Sequence, residues 1–324
     1  MCTAIAQSAG DFYFGRNLDL DHSYGEEICV LGREAPLSFM RMGDIREHYA
    51  IIGMATVIDG TPLFYDGANE CGLCAAALNF PHNAYYFSET AGKDNVTPFE
   101  LIVWILSQCK SIGDARELLL RMNIADIPYS DSLPNTTLHW MIADRERALT
   151  VESMADGLRV YENPVGVLTN NPPFKYQLFN LNNYRSLSTK NRECSFGGDF
   201  AFDEYSSGLG AIGLPGDVSS TSRFVRAAFA KANSVSREDE ESAVSQFFHL
   251  LFFVHVPRGM CITARDTLFS TVYSACINAD RGIYYYTTYD NSQITAVDMH
   301  RCALDSSELY RYPLIIDAVI RKQN

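Results

Sequence analysis

The chain opens with MCTAIAQSAGDFYFGRNLDLD, residues 1–21, and this stretch decides the predicted fold. Two apolar runs flank the turn signal SAGD, so the sequence predicts a β-hairpin. Its second strand would carry Arg16 and Asp19 back toward Cys2. We expect Met1 to be removed, because the residue after it is small, and Cys2 would then hold a thiol and a free amine. The hairpin thus predicts charged side chains beside a reactive N-terminus.

A thiol and an amine on one residue form a nucleophile with its own base. Their ordinary pKa values of about 8.5 and about 7.7 to 8.0 allow the amine to accept the thiol proton near neutral pH. Such a site also needs an acceptor that orients the amine and positive charge near the thiolate. Arg16 and Asp19 lie three residues apart, on opposite faces of a regular strand. Both are therefore expected to serve Cys2 only if the strand ends or bulges near Leu18.

The rest of the chain alternates between strand-rich and helical segments. Capping signals and periodicity predict helices over 97–109, after Ser111, over 171–184, from Ser219 or Ser220 to about Ala232, and from Asp239 to about His255. Residues 185–218 lack periodicity and predict a long surface excursion. No linker or repeat interrupts the chain, so one layered α+β domain is expected over residues 1–324.

Composition narrows the class of partners. The chain has 26 Lys and Arg against 39 Asp and Glu, a net charge of −13, which disfavours nucleic acid and membrane partners. Polar residues interrupt any secretory leader, and the apolar run at 247–256 is too short to span a bilayer. Nine cysteines without a framework spacing indicate reduced thiols. A cytoplasmic protein is expected.

Metal and cofactor sites have weak support. Cys71 and Cys74 have CxxC spacing, but a zinc site needs two further ligands, and no second CxxC or HxxxH occurs. The seven histidines show no paired spacing, so a cysteine–histidine protease is not indicated. We therefore predict no metal site.

Seven blocks occur in order over nearly the whole length: MCTAI, FGRNLD, ALNF, NTTLHW, VLTNN, GLPGDVSSTSRF and GIYYYTTYDNSQI. Together they resemble the choloylglycine hydrolase family, specifically its bile salt hydrolases. The resemblance implies the N-terminal nucleophile hydrolase fold, a four-layer αββα sandwich with the N-terminal residue at the end of a central strand.

The resemblance also implies the catalytic residues. The matched motifs give Cys2 as nucleophile with its amine as base, Arg16 beside the sulfur, Asp19 holding the amine, Asn79 and Asn170 as the oxyanion site, and Arg223 completing the polar cluster. Asn79 favours bile salt hydrolases, because related penicillin V acylases tend to have tyrosine there. Arg226 competes with Arg223, and only the SRF match selects Arg223.

The implied reaction is hydrolysis of the amide that joins a bile acid to glycine or taurine, without metal or cofactor. By resemblance, the apolar trough for the steroid comprises Leu18, Ile58, Tyr65, Tyr129 and Leu133. Relatives of this type are commonly tetramers, so a homotetramer is expected. The alternatives are an acylase of the same fold acting on penicillin V or acyl-homoserine lactones, and a non-catalytic protein that binds bile acids.

Overall fold

The computed structural model describes residues 1–199, 202–264 and 266–324. The strands of these residues are, in chain order, β1 Cys2–Ala9, β2 Asp11–Leu20, β3 Glu27–Leu31, β4 Leu37–Phe39, β5 Gly43–Ile45, β6 Ile51–Ile58, β7 Thr61–Asn69, β8 Cys74–Asn79, β9 Asp94–Val96, β10 Met122–Ile124, β11 Leu138–Ala143, β12 Ala148–Met154, β13 Gly157–Glu162, β14 Val167–Leu168, β15 Cys261–Ile262, β16 Leu268–Asn278, β17 Ile283–Thr288, β18 Thr295–Asp298 and β19 Leu309–Pro313. The α-helices are α1 Leu101–Gln108, α2 Ile112–Arg121, α3 Phe174–Asn180, α4 Ser220–Ala232 and α5 Glu240–Phe252.

Two large antiparallel sheets contain most of the strands. Sheet A has the order β14-β1-β2-β16-β17-β18, with β15 paired to β16. Sheet B has the order β13-β12-β11-β8-β7-β6-β3-β19. The predicted hairpin is confirmed, since β1 pairs with β2 along its whole length, with Cys2 opposite Leu18. Cys2 therefore begins a central strand of sheet A.

The apolar faces of the sheets explain the layers. One buried cluster combines Phe14 of sheet A with Met54 and Leu78 of sheet B and also includes residues of α4 and α5. A second cluster covers the other face of sheet B and includes most of α1 and the buried residues of α2. Burial of these faces is the main stabilising contribution to the fold. The order of layers is helix, sheet, sheet, helix, which confirms the predicted αββα sandwich.

Close contact between strands explains one residue of the FGRNLD block. A Cβ atom at Gly15 would lie 1.9 Å from the carbonyl oxygen of Ala275 on β16. Glycine therefore allows β2 to lie at the centre of sheet A with Arg16 fixed beside it.

The helix caps agree with the sequence patterns, with one exception. Ser111, Ser219 and Asp239 each accept a backbone N–H at the start of α2, α4 and α5. The first helix, in contrast, begins at Leu101 and not at Thr97. The Thr97 hydroxyl donates to Glu100 Oε2 at 2.8 Å, so the predicted capping pair forms a turn before the helix.

Residues 185–218, predicted as a surface excursion, contain little regular structure where the structure describes them. Between α3 and α4 the described residues contain two regular elements, the 3-10 turns Leu181–Tyr184 and Leu209–Ala211. Residues 200 and 201 lie outside the described part of the chain. Among the described residues, no helix has the length and hydropathy needed to cross a membrane.

Candidate active site

Cys2 lies at the first position of β1, with 2% of its surface exposed. Met1 is present in the structure and extends the hairpin, because its nitrogen donates to the Asp19 carbonyl at 2.6 Å and its carbonyl accepts from the Asp19 nitrogen at 2.9 Å. The Cys2 nitrogen is thus an amide here and stands in for the free amine expected after Met1 is removed.

Arg16 and Asp19 project from opposite faces of β2. Arg16 Nη1 donates to the carbonyls of Tyr65 at 2.9 Å and Ala77 at 2.6 Å, both on sheet B. Asp19 faces the helices, where its Oδ1 accepts from the Thr271 hydroxyl at 2.6 Å. Cys2 stands at the end of its strand, so groups from both faces of the sheet reach it.

The irregularity predicted near Leu18 occurs in the neighbouring strand. Leu18 pairs with Tyr273 of β16, whereas Asp19 pairs with Thr271, so Val272 is an extra residue in β16. β2 itself continues to Leu20. The predicted end or bulge near Leu18 is therefore absent from β2 itself, and the irregularity at this point lies in its partner strand β16. That both Arg16 and Asp19 serve Cys2 stays a prediction.

Asn170 joins the nitrogen of Cys2 to Asn79. Its Oδ1 accepts from the Cys2 nitrogen at 2.9 Å, and its Nδ2 donates to the Asn79 carbonyl at 2.7 Å. With Met1 attached, the partner of the Cys2 nitrogen is thus Asn170 and not the expected Asp19. Asn79 ends β8, where its side-chain oxygen accepts from the Thr137 hydroxyl at 3.1 Å.

Arg223 is fully buried on the first turns of α4 and holds the N-terminal residues together. Its Nη1 donates to the Cys2 carbonyl at 2.5 Å and to the Thr3 hydroxyl at 2.6 Å, and its Nη2 donates to Asn170 Oδ1 at 2.7 Å. Arg226 instead donates to the carbonyls of Pro215 and Asp217. The structure thus brings Arg223, and not Arg226, to Cys2.

The surroundings favour the thiolate form of Cys2. Burial by itself raises the pKa of this thiol, and the Asp19 carboxylate adds to that rise. Three groups lower the pKa by more: the Arg16 guanidinium, the N-terminal ammonium group of Met1 and the backbone N–H of Asn79. The net pKa of the thiol therefore lies below its ordinary value. A thiol with a lowered pKa beside hydrogen-bond donors is suited to nucleophilic attack on a carbonyl.

Comparison with known proteins agrees with this geometry. The profile of the linear amide C–N hydrolases, choloylglycine hydrolase family, matches residues 2–312. The chain belongs to the choloylglycine hydrolase family. It is therefore an enzyme of a family that cleaves linear amide C–N bonds.

Individual members of the family match along the whole chain. A bile salt hydrolase/transferase of Lactiplantibacillus plantarum is 48% identical over 318 residues, covering 98% of each chain. A protein of the same description from Clostridium perfringens is 37% identical over 317 residues, covering 96% of each chain. The crystal structure of the C2A mutant of conjugated bile acid hydrolase from Clostridium perfringens superposes with a TM-score of 0.93, 36% identity and full coverage of both chains.

A more distant structure supports the fold alone. Penicillin V acylase from Agrobacterium tumefaciens superposes with a TM-score of 0.73 at 19% identity, covering 96% of this chain and 90% of the acylase. The αββα sandwich is therefore shared beyond the members that are similar in sequence.

The residues expected to form the steroid trough differ in exposure. Tyr129 Oη donates to the Ile58 carbonyl at 3.4 Å, so these two residues lie together. Tyr65 Oη lies 2.8 Å from Thr56 Oγ1. Ile58, Tyr65, Tyr129 and Leu133 are partly exposed, whereas Leu18 is 3% exposed and belongs to the core. Leu18 thus presents almost no open surface to a ligand in the structure.

Several residues that the sequence motifs missed contact the site. Asp66 lies in the middle of β7, where it accepts from the hydroxyls of Tyr273 at 2.5 Å and Tyr284 at 2.6 Å and lies 4.0 Å from Arg16 Nε. The sequence signal that could have identified Asp66 is an acidic residue within a half-apolar strand, TPLFYDGAN. Tyr273 and Tyr284 are fully buried.

Proposed function

We propose that the protein hydrolyses the amide bond of glycine- or taurine-conjugated bile salts, with Cys2 as the nucleophile. The observation that carries the proposal is the buried Cys2 thiol, whose pKa is lowered beside Arg16. The names of the relatives with matching length, bile salt hydrolase/transferase, supply the substrate class.

Removal of Met1 is the first step of the proposed mechanism. Asp19 Oδ2 is buried and has no hydrogen-bond partner among the described residues; its nearest cation is Arg223, with Nη1 at 3.9 Å. An unpaired buried acceptor is costly. A free amine at Cys2 has more hydrogens than the present amide, so it could donate to Asp19 as well as to Asn170. The unpaired oxygen therefore favours a mature chain that begins at Cys2.

The chemistry then follows from the groups around the thiol. The amine accepts the thiol proton, and the thiolate attacks the amide carbonyl to form a tetrahedral intermediate. Donors at Asn79 and Asn170 stabilise the oxyanion, and the protonated amine gives its proton to the departing glycine or taurine. Water then attacks the acyl thioester, releasing the free bile acid and restoring the thiol.

Recognition of the substrate combines two local environments. The steroid body of a conjugated bile salt needs apolar surface, and we assign it to Leu18, Ile58, Tyr65, Tyr129 and Leu133. Leu18 is 3% exposed in the structure, so its contact with the steroid requires a rearrangement of the residues around it. The buried guanidinium groups of Arg16 and Arg223 place positive charge beside Cys2, although each also has a buried carboxylate within about 4 Å, Asp66 and Asp19 respectively.

One assay distinguishes this proposal from its alternatives. Mature protein is incubated separately with glycocholate, taurocholate and penicillin V, and the released amino acid or acyl group is quantified. Release of glycine or taurine that Cys2→Ala abolishes without loss of fold is the expected result. Much faster cleavage of penicillin V, or of an acyl-homoserine lactone, would indicate an acylase. Binding of bile acids without release would indicate a non-catalytic binder.

Acyl transfer is a second candidate activity, because two relatives are described as both hydrolase and transferase. An amine can attack the acyl thioester in place of water, forming a new amide. Glycocholate incubated with a different added amino acid should then release glycine and yield the new conjugate, detected by mass spectrometry, and its absence at high amine concentration while glycine is released would refute this activity.

We also propose a cytoplasmic homotetramer in which residues 1–324 form one domain. Large apolar side chains in the excursion, Phe196, Tyr205 and Ile212, are exposed and could contact another subunit. Native mass spectrometry tests the assembly, and a monomer at micromolar concentration would contradict it.

A further inference from the structure

His139 is a buried histidine that the proposed mechanism does not use. It lies in β11 with no exposed surface, and its cross-strand partner is Leu78, next to Asn79 on β8. Buried polar side chains that are retained within an apolar sheet usually have a defined set of partners. Two of the partners of His139, Thr169 and Phe80, are next in sequence to the expected oxyanion residues Asn170 and Asn79.

One ring nitrogen holds the segment that contains Asn170. His139 Nε2 lies 2.8 Å from the Thr169 carbonyl oxygen, and because a carbonyl only accepts, Nε2 is the donor. Thr169 immediately precedes Asn170. Its hydroxyl donates to the Ser220 carbonyl at 3.0 Å, and Ser220 Oγ accepts from the Asn170 nitrogen at 2.8 Å. The His139 contact therefore fixes the backbone that carries Asn170.

The ring face holds the segment that contains Asn79. The rings of His139 and Phe80 are stacked, with centroids 4.3 Å apart and planes 4° from parallel. Phe80 immediately follows Asn79 and is fully buried. A displaced imidazole ring would therefore allow Phe80, and with it Asn79, to shift.

The second ring nitrogen fixes the ring itself. His139 Nδ1 lies 3.2 Å from Glu152 Oε1, and neither side chain is exposed. The same carboxylate oxygen accepts from the Phe174 nitrogen at 2.8 Å, at the start of α3. Glu152 thus holds the ring in one orientation while β12 and α3 hold Glu152.

We propose that His139 is a positioning residue that aligns Asn79 and Asn170 at Cys2, with Glu152 fixing its ring. This role rests on the proposed function, because it concerns the oxyanion site of that reaction. His139 acts through its neighbours and does not contact the reacting atoms. Small displacements of aligned groups are costly, since a misplacement of about 1 Å can reduce a rate about 100-fold.

The test compares His139 variants with a matched control. His139→Leu removes both ring nitrogens, and His139→Gln retains one N–H donor that can reach Thr169. His48 is the control, because it is also buried, with its ring nitrogens 2.8 Å from the carbonyls of Tyr49 and Ala35 and no contact with the site residues. His48→Leu and His48→Gln therefore report the cost of losing a buried histidine elsewhere.

We expect His139→Leu to reduce kcat for glycocholate about 100-fold with little change in KM, and His139→Gln to recover part of the loss. The rate at which iodoacetamide alkylates Cys2 should stay within about twofold of wild type, because alkylation needs the thiolate but no oxyanion donor. An equal loss of kcat in the His48 variants, or a parallel loss of alkylation, would overturn the positioning role. If His139→Leu does not fold, His139→Gln carries the same comparison.

A structural readout keeps this proposal separate from the substrate assignment. In a crystal structure of His139→Leu we expect the contact between Asn170 Nδ2 and the Asn79 carbonyl, 2.7 Å in the present structure, to lengthen or break. An unchanged contact would refute the positioning role. Absence of bile salt hydrolysis by the wild type would refute the proposed function and leave this structural test intact.

Discussion

The backbone nitrogen of Cys2 donates to the side-chain oxygen of Asn170 at 2.9 Å, although 168 residues separate the two in the sequence. The same amide group of Asn170 accepts from Arg223 and donates to Asn79. The nucleophile, the expected oxyanion site and helix α4 therefore meet at one side chain. Loss of the Asn170 amide should therefore disturb the nucleophile, the expected oxyanion site and the contact with α4.

Asn170→Ala should reduce kcat/KM for conjugated bile salts by about 100- to 1,000-fold, since removal of one oxyanion donor alone costs about this much. Asn163→Ala is the matched control, because Asn163 is also buried and hydrogen-bonded but its partners are Thr150, Gly166 and Val167. That variant should lose about 1 to 3 kcal/mol in free energy of unfolding and retain its kcat. Similar kcat values for the two variants would contradict the role of Asn170.

Arg16→Met should raise the pKa of the Cys2 thiol, because Arg16 is the largest favourable influence on the thiolate. The thiolate is the charged form, so loss of a nearby positive charge moves the pH dependence of iodoacetamide alkylation toward higher pH. Stopped-flow alkylation over a pH series measures this shift. We also expect about a 100-fold loss of kcat/KM.

A control for the charge change is Arg33→Met, which removes an arginine that pairs with Glu70 and Asp305 and contacts none of the site residues. Its alkylation curve should match that of wild type. A curve for Arg16→Met that coincides with wild type would show that Arg16 does not stabilise the thiolate.

The hairpin and the order of helices and strands were predictable because they depend on local patterns. Turn residues at SAGD, and capping residues at Ser111, Ser219 and Asp239, act within a few neighbours along the chain. The extra residue Val272 depends instead on pairing between β2 and β16, more than 250 residues apart, and no local signal reports it. Alternation along β2 predicted correctly that Arg16 and Asp19 lie on opposite faces.

Among the site residues, too, local motifs were predictable and long-range contacts were not. Motif matches selected Arg223 over Arg226, although the two are three residues apart on one helix and chemically identical. Asp66, Tyr273 and Tyr284 were missed, because their hydrogen bonds join two sheets and a phenol in an apolar strand resembles any core residue. Sequence patterns thus identified groups that carry chemistry but not the groups that hold them.

Retention of Met1 should abolish activity, because the proposed base would remain an amide without a lone pair available for the proton. We expect a second effect as well, because Met1 pairs with both backbone groups of Asp19 and occupies the space beside Cys2. A preparation with a cleavable N-terminal extension should be inactive and should gain full activity when cleavage exposes Cys2.

Intact mass spectrometry assigns the N-terminus in each sample, and a C-terminal tag on the same chain is the control. The C-terminal tag should leave activity within about twofold of the untagged protein, since the described C-terminal residues contact none of the site residues. Full activity of protein that retains Met1 would refute the amine as the base.

Arg223 and Arg226 allow a comparison of two arginines on one helix. Arg223→Met removes donors to the Cys2 and Asn170 oxygens and leaves Asp19 without its nearby cation, so we expect about a 1,000-fold loss of kcat/KM. Arg226→Met removes donors to the Pro215 and Asp217 carbonyls, which lie before α4, and should cost about 1 to 2 kcal/mol in free energy of unfolding with kcat nearly unchanged. Urea denaturation and steady-state kinetics of both variants measure the two effects. Equal losses of activity would mean that the two arginines act only by stabilising α4.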